Sequence, residues 1–157
     1  MTASGHKPKP ARAHRGFTLL ETLVVITIVA LIAAVMAPSL ISTPNTQLRS
    51  AAQELVSALR DTRLQALRTR GEAALALDTS TRLYQVPGTS QPRQLDSSLQ
   101  LQLTTAEREM TGSDSGNIRF YADGSSTGGR ITVSNGKLVQ HVDVEWLTGR
   151  VRLRDDL

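Results

Sequence analysis

The chain has no cysteine. That excludes a disulfide framework and any zinc site built on thiolates, and it leaves the compartment open. Aromatic residues are only 3% of the 157, so a core has to be made of Leu, Val, Ile and Ala. Of the three histidines, His6 and His14 fall within the first sixteen residues. His141 lies in a strand-like stretch and reads as a surface or edge residue. Ser125 and Ser126 therefore have no credible triad partner, which removes a serine hydrolase. No acidic cluster has calcium-loop spacing, and Asp114–Asn117 is too short to count. The run "DGSSTGGR" lacks the Gly-Lys-Ser/Thr ending of a phosphate loop and leads into no helical pattern, so it reads as a glycine-rich hairpin turn. No catalytic group, cofactor or metal is expected, and the chain does not read as an enzyme.

Acids are also missing from the first sixteen residues, which carry Lys7, Lys9, Arg12 and Arg15. These four make up the whole net charge of +4, because the remaining 14 basic residues balance 14 acidic ones. The excess charge belongs to a leader. It reads as a positive-inside signal rather than as a nucleic-acid-binding surface.

A long apolar run comes next. Phe17 to Ala37 contains a single charge, Glu21, and as a helix it would extend about 31 Å, the thickness of a bilayer's hydrocarbon core. With the basic residues ahead of it, its N-terminus is expected to stay cytoplasmic and the remainder to be exported. A secretory signal cut after Val35-Met36-Ala37 is the alternative, but Pro38 would follow the cut directly and the run is longer than a usual signal core. Glu21 needs an explanation, since a carboxylate well inside a bilayer costs about 2.5–3.5 kcal/mol. None of the 27 residues after it is basic. A cut between Gly16 and Phe17 would create a terminal amine at Phe17, which a staggered neighbouring chain could bring to Glu21. The plainer account is a glutamate at the membrane interface that tolerates water.

The run Arg15-Gly16-Phe17-Thr18-Leu19-Leu20-Glu21 ahead of an apolar helix resembles the class III signal of type IV pilins and type II secretion pseudopilins. The resemblance implies cleavage after Gly16 by a prepilin peptidase, N-methylation of Phe17, and Glu21 as the carboxylate of an assembly salt bridge. It also implies a helix kink at Pro38. The leader, with Pro8 and Pro10, is longer than many in that group.

Beyond the apolar run, Pro38 and Pro44 bracket an interruption, after which the helix restarts at Asn45 or Thr46. From there to Arg70, Leu48, Ala52, Leu55, Leu59 and Ala66 form one stripe, with Val56 and Leu67 beside it. The arginines on this helix read as a solvated face, and Gly71 as its stop. The stripe is expected to pack on a sheet. From Glu72 onward the pattern becomes short and alternating. "EAALALD" and "TRLYQV" form a hairpin about Thr79-Ser80, and "LQLQLT" (99–104) fits a half-buried strand. The polar stretch from 104 to 117 reads as a mobile loop. Three or four antiparallel strands complete the chain. Ile118 and Phe120 share a face, Ile131 and Val133 begin the next strand, and Asn135-Gly136 makes a two-residue hairpin. Val142, Val144 and Trp146 line one face of the strand after that, and Thr148-Gly149 turns it.

"FYADGSSTGGRI" together with "VDVEWLTGRVR" is similar to the C-terminal domain of GspH-type minor pseudopilins, a domain that FimT-type minor pilins share. The whole likeness covers residues 12–70 and 117–154. It implies a structural subunit at or near the tip of a short periplasmic filament involved in protein export. Its implied partners are other minor and major pseudopilins, the prepilin peptidase, the inner membrane and exported substrates. The expected fold is α+β and type IV pilin-like: a leader (1–16), a transmembrane helix (17–37), its amphipathic continuation (38–71), and an antiparallel β-sheet domain (72–157). In the tail "GRVRLRDD", Arg150, Arg152 and Arg154 project from one strand face. They read as an edge charged against aggregation, as a contact to an acidic partner pilin, or as a DNA contact of the FimT kind. Asp155 and Asp156 weaken the DNA reading, and nucleic acid is not the expected partner.

Overall fold

The computed structural model describes residues 18–36 and 44–156. They fall into two units, one within 1–41 and one from Ser42 to Leu157. The first contains α1 (Leu19–Met36). Thr18 caps it: its hydroxyl accepts the backbone N–H of Glu21 at 3.2 Å, and Thr22 N–H closes the first turn on the Thr18 carbonyl. Thr18 and Glu21 thus stand at the two ends of a Thr-x-x-Glu capping sequence. The expected span had Phe17 and Ala37 as its ends, and both lie outside the described residues, as does the expected kink at Pro38. Over its 18 described residues α1 is about 27 Å long. Among the described residues no helix is long and apolar enough to cross a membrane.

The second unit opens with α2 (Pro44–Thr69). Proline fits a helix start because its missing N–H is not needed there. Leu48, Ala51, Ala52, Leu55, Val56, Ala58, Leu59, Thr62 and Ala66 are buried, wider than the predicted stripe by three small residues that let the sheets approach. Fully burying a side chain such as Leu55 or Leu59 is worth about 1.5–3 kcal/mol. Leu67, predicted to flank the stripe, is exposed. The helix does not stop on Gly71 itself. Arg70 takes the left-handed conformation (φ 49°), and Gly71 N–H reaches back to the Ala66 carbonyl at 3.2 Å. This is a Schellman closure with a non-glycine residue in the strained place.

Among the described residues the rest of the unit contains eight strands: β1 (Ala73–Asp78), β2 (Leu83–Gln85), β3 (Arg93–Gln94), β4 (Gln100–Thr105), β5 (Ser115–Phe120), β6 (Gly129–Ser134), β7 (Val139–Val144) and β8 (Val151–Asp156). The sequence suggested one sheet, but there are two. One runs β3-β2-β1-β5 and the other β4-β6-β7-β8, with every neighbouring pair antiparallel. Register follows the apolar alternation, because a slip of one residue would turn each strand's apolar set outward. Leu75 stands opposite Ile118, Ile131 opposite Val142, and Val144 opposite Val151. α2 packs against strands of both sheets, and the buried core runs from Leu48 to Val151.

Three expectations change. The stretch from 104 to 117 is not a mobile loop. It folds through a 3-10 turn (Glu107–Glu109), Met110 bridges to Gly116, and β5 already starts at Ser115. A part-buried ion pair, Glu109 Oε1 to Arg119 Nε at 3.0 Å, holds that turn down. Trp146 does not continue the apolar face of β7, which ends at Val144. Glu145 N–H bonds the Arg150 carbonyl and Gly149 N–H bonds the Glu145 carbonyl, so the chain has turned before Trp146, leaving it 66% exposed. Of the two readings of His141, surface or edge, only the edge one is lost: β7 lies between β6 and β8, and the partly exposed ring has its Nδ1 2.9 Å from the Thr132 hydroxyl.

Candidate functional site

Two features bear on function. On α1, Leu19, Leu20, Leu23, Ile26 and Ile32 are all more than half exposed. Amid this apolar surface the Glu21 carboxylate has no hydrogen-bond or ion-pair partner among the described residues. Its backbone N–H is committed to the cap, but its charge is left over. Gly16, Phe17 and Pro38 lie outside the described residues.

The second feature is the outer face of the β4-β6-β7-β8 sheet. Arg150, Arg152 and Arg154 line one groove there, as the alternation predicts, with Arg130, Asp143 and Glu145 alongside. Asp143 holds Arg130 through two bonds of 2.6 and 3.1 Å and lies 3.5 Å from Arg154. Arg150 and Arg152 have no side-chain partner among the described residues. The expected edge charge is thus partly neutralised. Asp155 does not shield the arginines. It stands on the opposite strand face, where Gln140 Nε2 donates to it at 2.7 Å.

Several structural residues escaped sequence reasoning. Arg63, read as part of a solvated helix face, donates from Nε to the Gly124 carbonyl and from its terminal nitrogen to the Thr148 carbonyl, each at 3.0 Å. It clamps two turns onto α2. No local signal could reveal partners 61 and 85 residues away. Asp78, Asp96 and Asp123 each accept both the N–H and the hydroxyl of the serine two residues on. The serine bonds hold all three carboxyls below the usual range. Here the Asp-x-Ser spacing was a legible turn signal. Tyr84 is buried with its hydroxyl 2.5 Å from Glu54 Oε1. Burial first, and the neighbouring carboxylate second, push its pKa up to about 12. Among the described residues no group of three or more His, Asp or Glu is placed to hold a metal.

A capped apolar helix bearing one unpaired acid, with a separate unit in which an amphipathic helix packs on antiparallel sheets, defines a pilin-like protein. Residues 11–37 match the prokaryotic N-terminal methylation motif, and residues 51–148 match the family described as type II transport protein GspH. The type II secretion system protein H of Xanthomonas campestris pv. campestris is 37% identical over 150 residues, covering 94% of this chain and 88% of that protein. The chain belongs to the GspH family of type II secretion pseudopilins. In fold it is similar to the minor pseudopilin EpsH of the Vibrio cholerae type 2 secretion system, with TM-score 0.54, 15% identity, and coverage of 69% of this chain and 97% of that one. It is also similar to the type IV minor pilin FimU of Pseudomonas aeruginosa, with TM-score 0.51, 17% identity, and coverage of 70% and 90%. The pilin fold is common to both, while the sequence relationship lies with the secretion proteins, which does not favour the DNA-binding pilin alternative.

Proposed function

We propose that this pseudopilin is a membrane-anchored structural subunit, without catalytic activity, at or near the tip of a periplasmic filament. In this reading a prepilin peptidase cuts between Gly16 and Phe17, the new Phe17 amine is methylated, and the apolar helix holds the chain in the inner membrane. Its globular unit lies in the periplasm, and the partners it meets there are other pseudopilins and exported proteins. Pro38 supplies the bend between the anchor and the continuation. Glu21 draws the subunit into the filament by pairing with the Phe17 amine of a neighbour.

The observation that carries this reading is the Glu21 carboxylate, exposed and unpaired on an otherwise apolar helix. Such a charge costs about 2.5–3.5 kcal/mol at a membrane's centre, so a counter-cation delivered by a neighbouring chain makes assembly favourable. Pairing also sets the axial stagger between subunits, because a single charge has one matching position. The test is Glu21→Ala in the producing cell. Processing should remain intact while co-purification with the other pseudopilins falls at least about tenfold. Unchanged incorporation would remove the charge-pairing role.

A further inference from the structure

We propose that the surface centred on Arg150 docks a partner protein that presents carboxylate side chains beside an apolar segment. Two grooves meet at Arg150. One, of about 580 Å³, is the arginine-lined groove on the outer sheet face, and the other, of about 500 Å³, is lined by Arg60, Arg63 and Leu64 of α2 and by residues Thr148 to Val151. Arg63 is engaged with two carbonyls, and Arg130 and Arg154 lean on Asp143. The side chains of Arg60, Arg150 and Arg152 have no hydrogen-bond or ion-pair partner among the described residues. Three guanidinium groups without an ion pair of their own thus border the two grooves, Arg152 standing across from Asp143 on the neighbouring strand.

The turn just before Arg150 supplies the apolar part. Trp146 is 66% and Leu147 63% exposed, and Leu64, also exposed, lines the second groove from α2. Exposed large apolar side chains do nothing for folding here, yet the turn that carries them is firmly held. Ser126 N–H donates to the Trp146 carbonyl at 2.8 Å, and Arg63 holds Thr148. Gly149, at φ 59°, packs so closely on the Gly124 carbonyl that a Cβ would collide with it. A rigid turn loses little entropy on binding, and a tryptophan beside arginines is the composition of an interface centre.

Charge decides the partner's chemistry. Arginine forks match carboxylates two bonds at a time. A phosphate backbone needs a continuous run of free cations, whereas Asp143 and Glu145 interrupt this one. The inference goes beyond the Glu21 reading and stands on different residues, so either can fail alone.

Trp146 is the only tryptophan of the chain and sits on the turn that leads into Arg150, so its emission reports binding at that turn. The full chain in non-ionic detergent is titrated, at about 0.15 M salt, with a short synthetic peptide alternating glutamate and leucine. A saturable blue shift is expected, weakened at least about tenfold by Arg150→Glu/Arg152→Glu and also by the milder Arg150→Gln/Arg152→Gln, with circular dichroism unchanged. A lysine–leucine peptide should give no shift. Absence of a shift with the acidic peptide, or equal shifts in wild type and both double variants, would overturn the proposal. An equal response to a single-stranded oligonucleotide, lost in the same variants, would reassign the surface to nucleic acid and also overturn it.

Discussion

Replacing Arg63 by methionine isolates the clamp between α2 and the two turns, because methionine keeps most of the stem that packs there. The wild-type guanidinium makes two charged hydrogen bonds to carbonyls, each 3.0 Å long. The bond to Gly124 is part-buried and the bond to Thr148 is exposed. Discounting the exposed one for water, the first is worth about 1.5 kcal/mol and the second about 0.5, for a loss of about 2 kcal/mol. In a unit running from Ser42 to Leu157, each kcal/mol moves Tm by about 3–5 °C, so Tm should drop by about 6–10 °C. Thermal unfolding of that unit followed by far-UV circular dichroism measures the shift. Hydrogen exchange at the amides of Gly124 and Gly149 should accelerate more than at the core strands, since the clamp holds those turns. Arg68→Met serves as the comparison. Arg68 is exposed with no partner among the described residues, and its loss should cost less than about 0.5 kcal/mol. If both variants unfold within a degree or so of wild type, or if Arg68 matters as much as Arg63, the clamp argument fails.

Alkali should weaken the protein through Tyr84. Its folded pKa of about 12 lies above the unfolded value of 10, so its contribution is complete below pH 10 and disappears as pH rises through 12. That amounts to about 2–3 kcal/mol. Urea unfolding at the two ends of this window should show the fall in wild type and a flatter response in Tyr84→Phe. Glu109→Ala should cost about 2 kcal/mol in the same assay. Arg119 would lose its buried partner and keep only Glu72, 3.1 Å away on the exposed side. The local sign of that loss is faster exchange at the amide of Met110, which now closes the 3-10 turn on the Glu107 carbonyl.

Much of the fold was legible because it is written in local periodicity. The helical stripe through Leu48, Leu55 and Leu59 and the alternation of Ile118 with Phe120 both fall on the buried face. The turn between β6 and β7 was placed within a residue. Gly136 takes φ 83°, but Ser134 pairs with Val139, so the loop holds four residues rather than two. The Asn135 side chain holds it by accepting from the amides of Lys137 and Leu138. Where tertiary partners decide, local pattern fell short. Trp146 continues an apolar alternation on paper, and only the pairing of Glu145 with Arg150 reveals that the strand has ended. The stretch about Glu109 looks like a polar loop until Arg119 is found beside it. At the candidate site, spacing foretold that Arg150, Arg152 and Arg154 share a face. It gave no sign that Asp143, on the neighbouring strand, would occupy Arg130 and attract Arg154.

The central claim is that Glu21 pairs with an amine that exists only after processing. Intact-mass and N-terminal peptide mass spectrometry of the protein isolated from its host membrane tests this most directly. The account predicts a chain beginning at N-methylated Phe17 and retaining Glu21. A chain that still begins at Met1, or one that begins after Ala37 and so lacks Glu21 altogether, would contradict it.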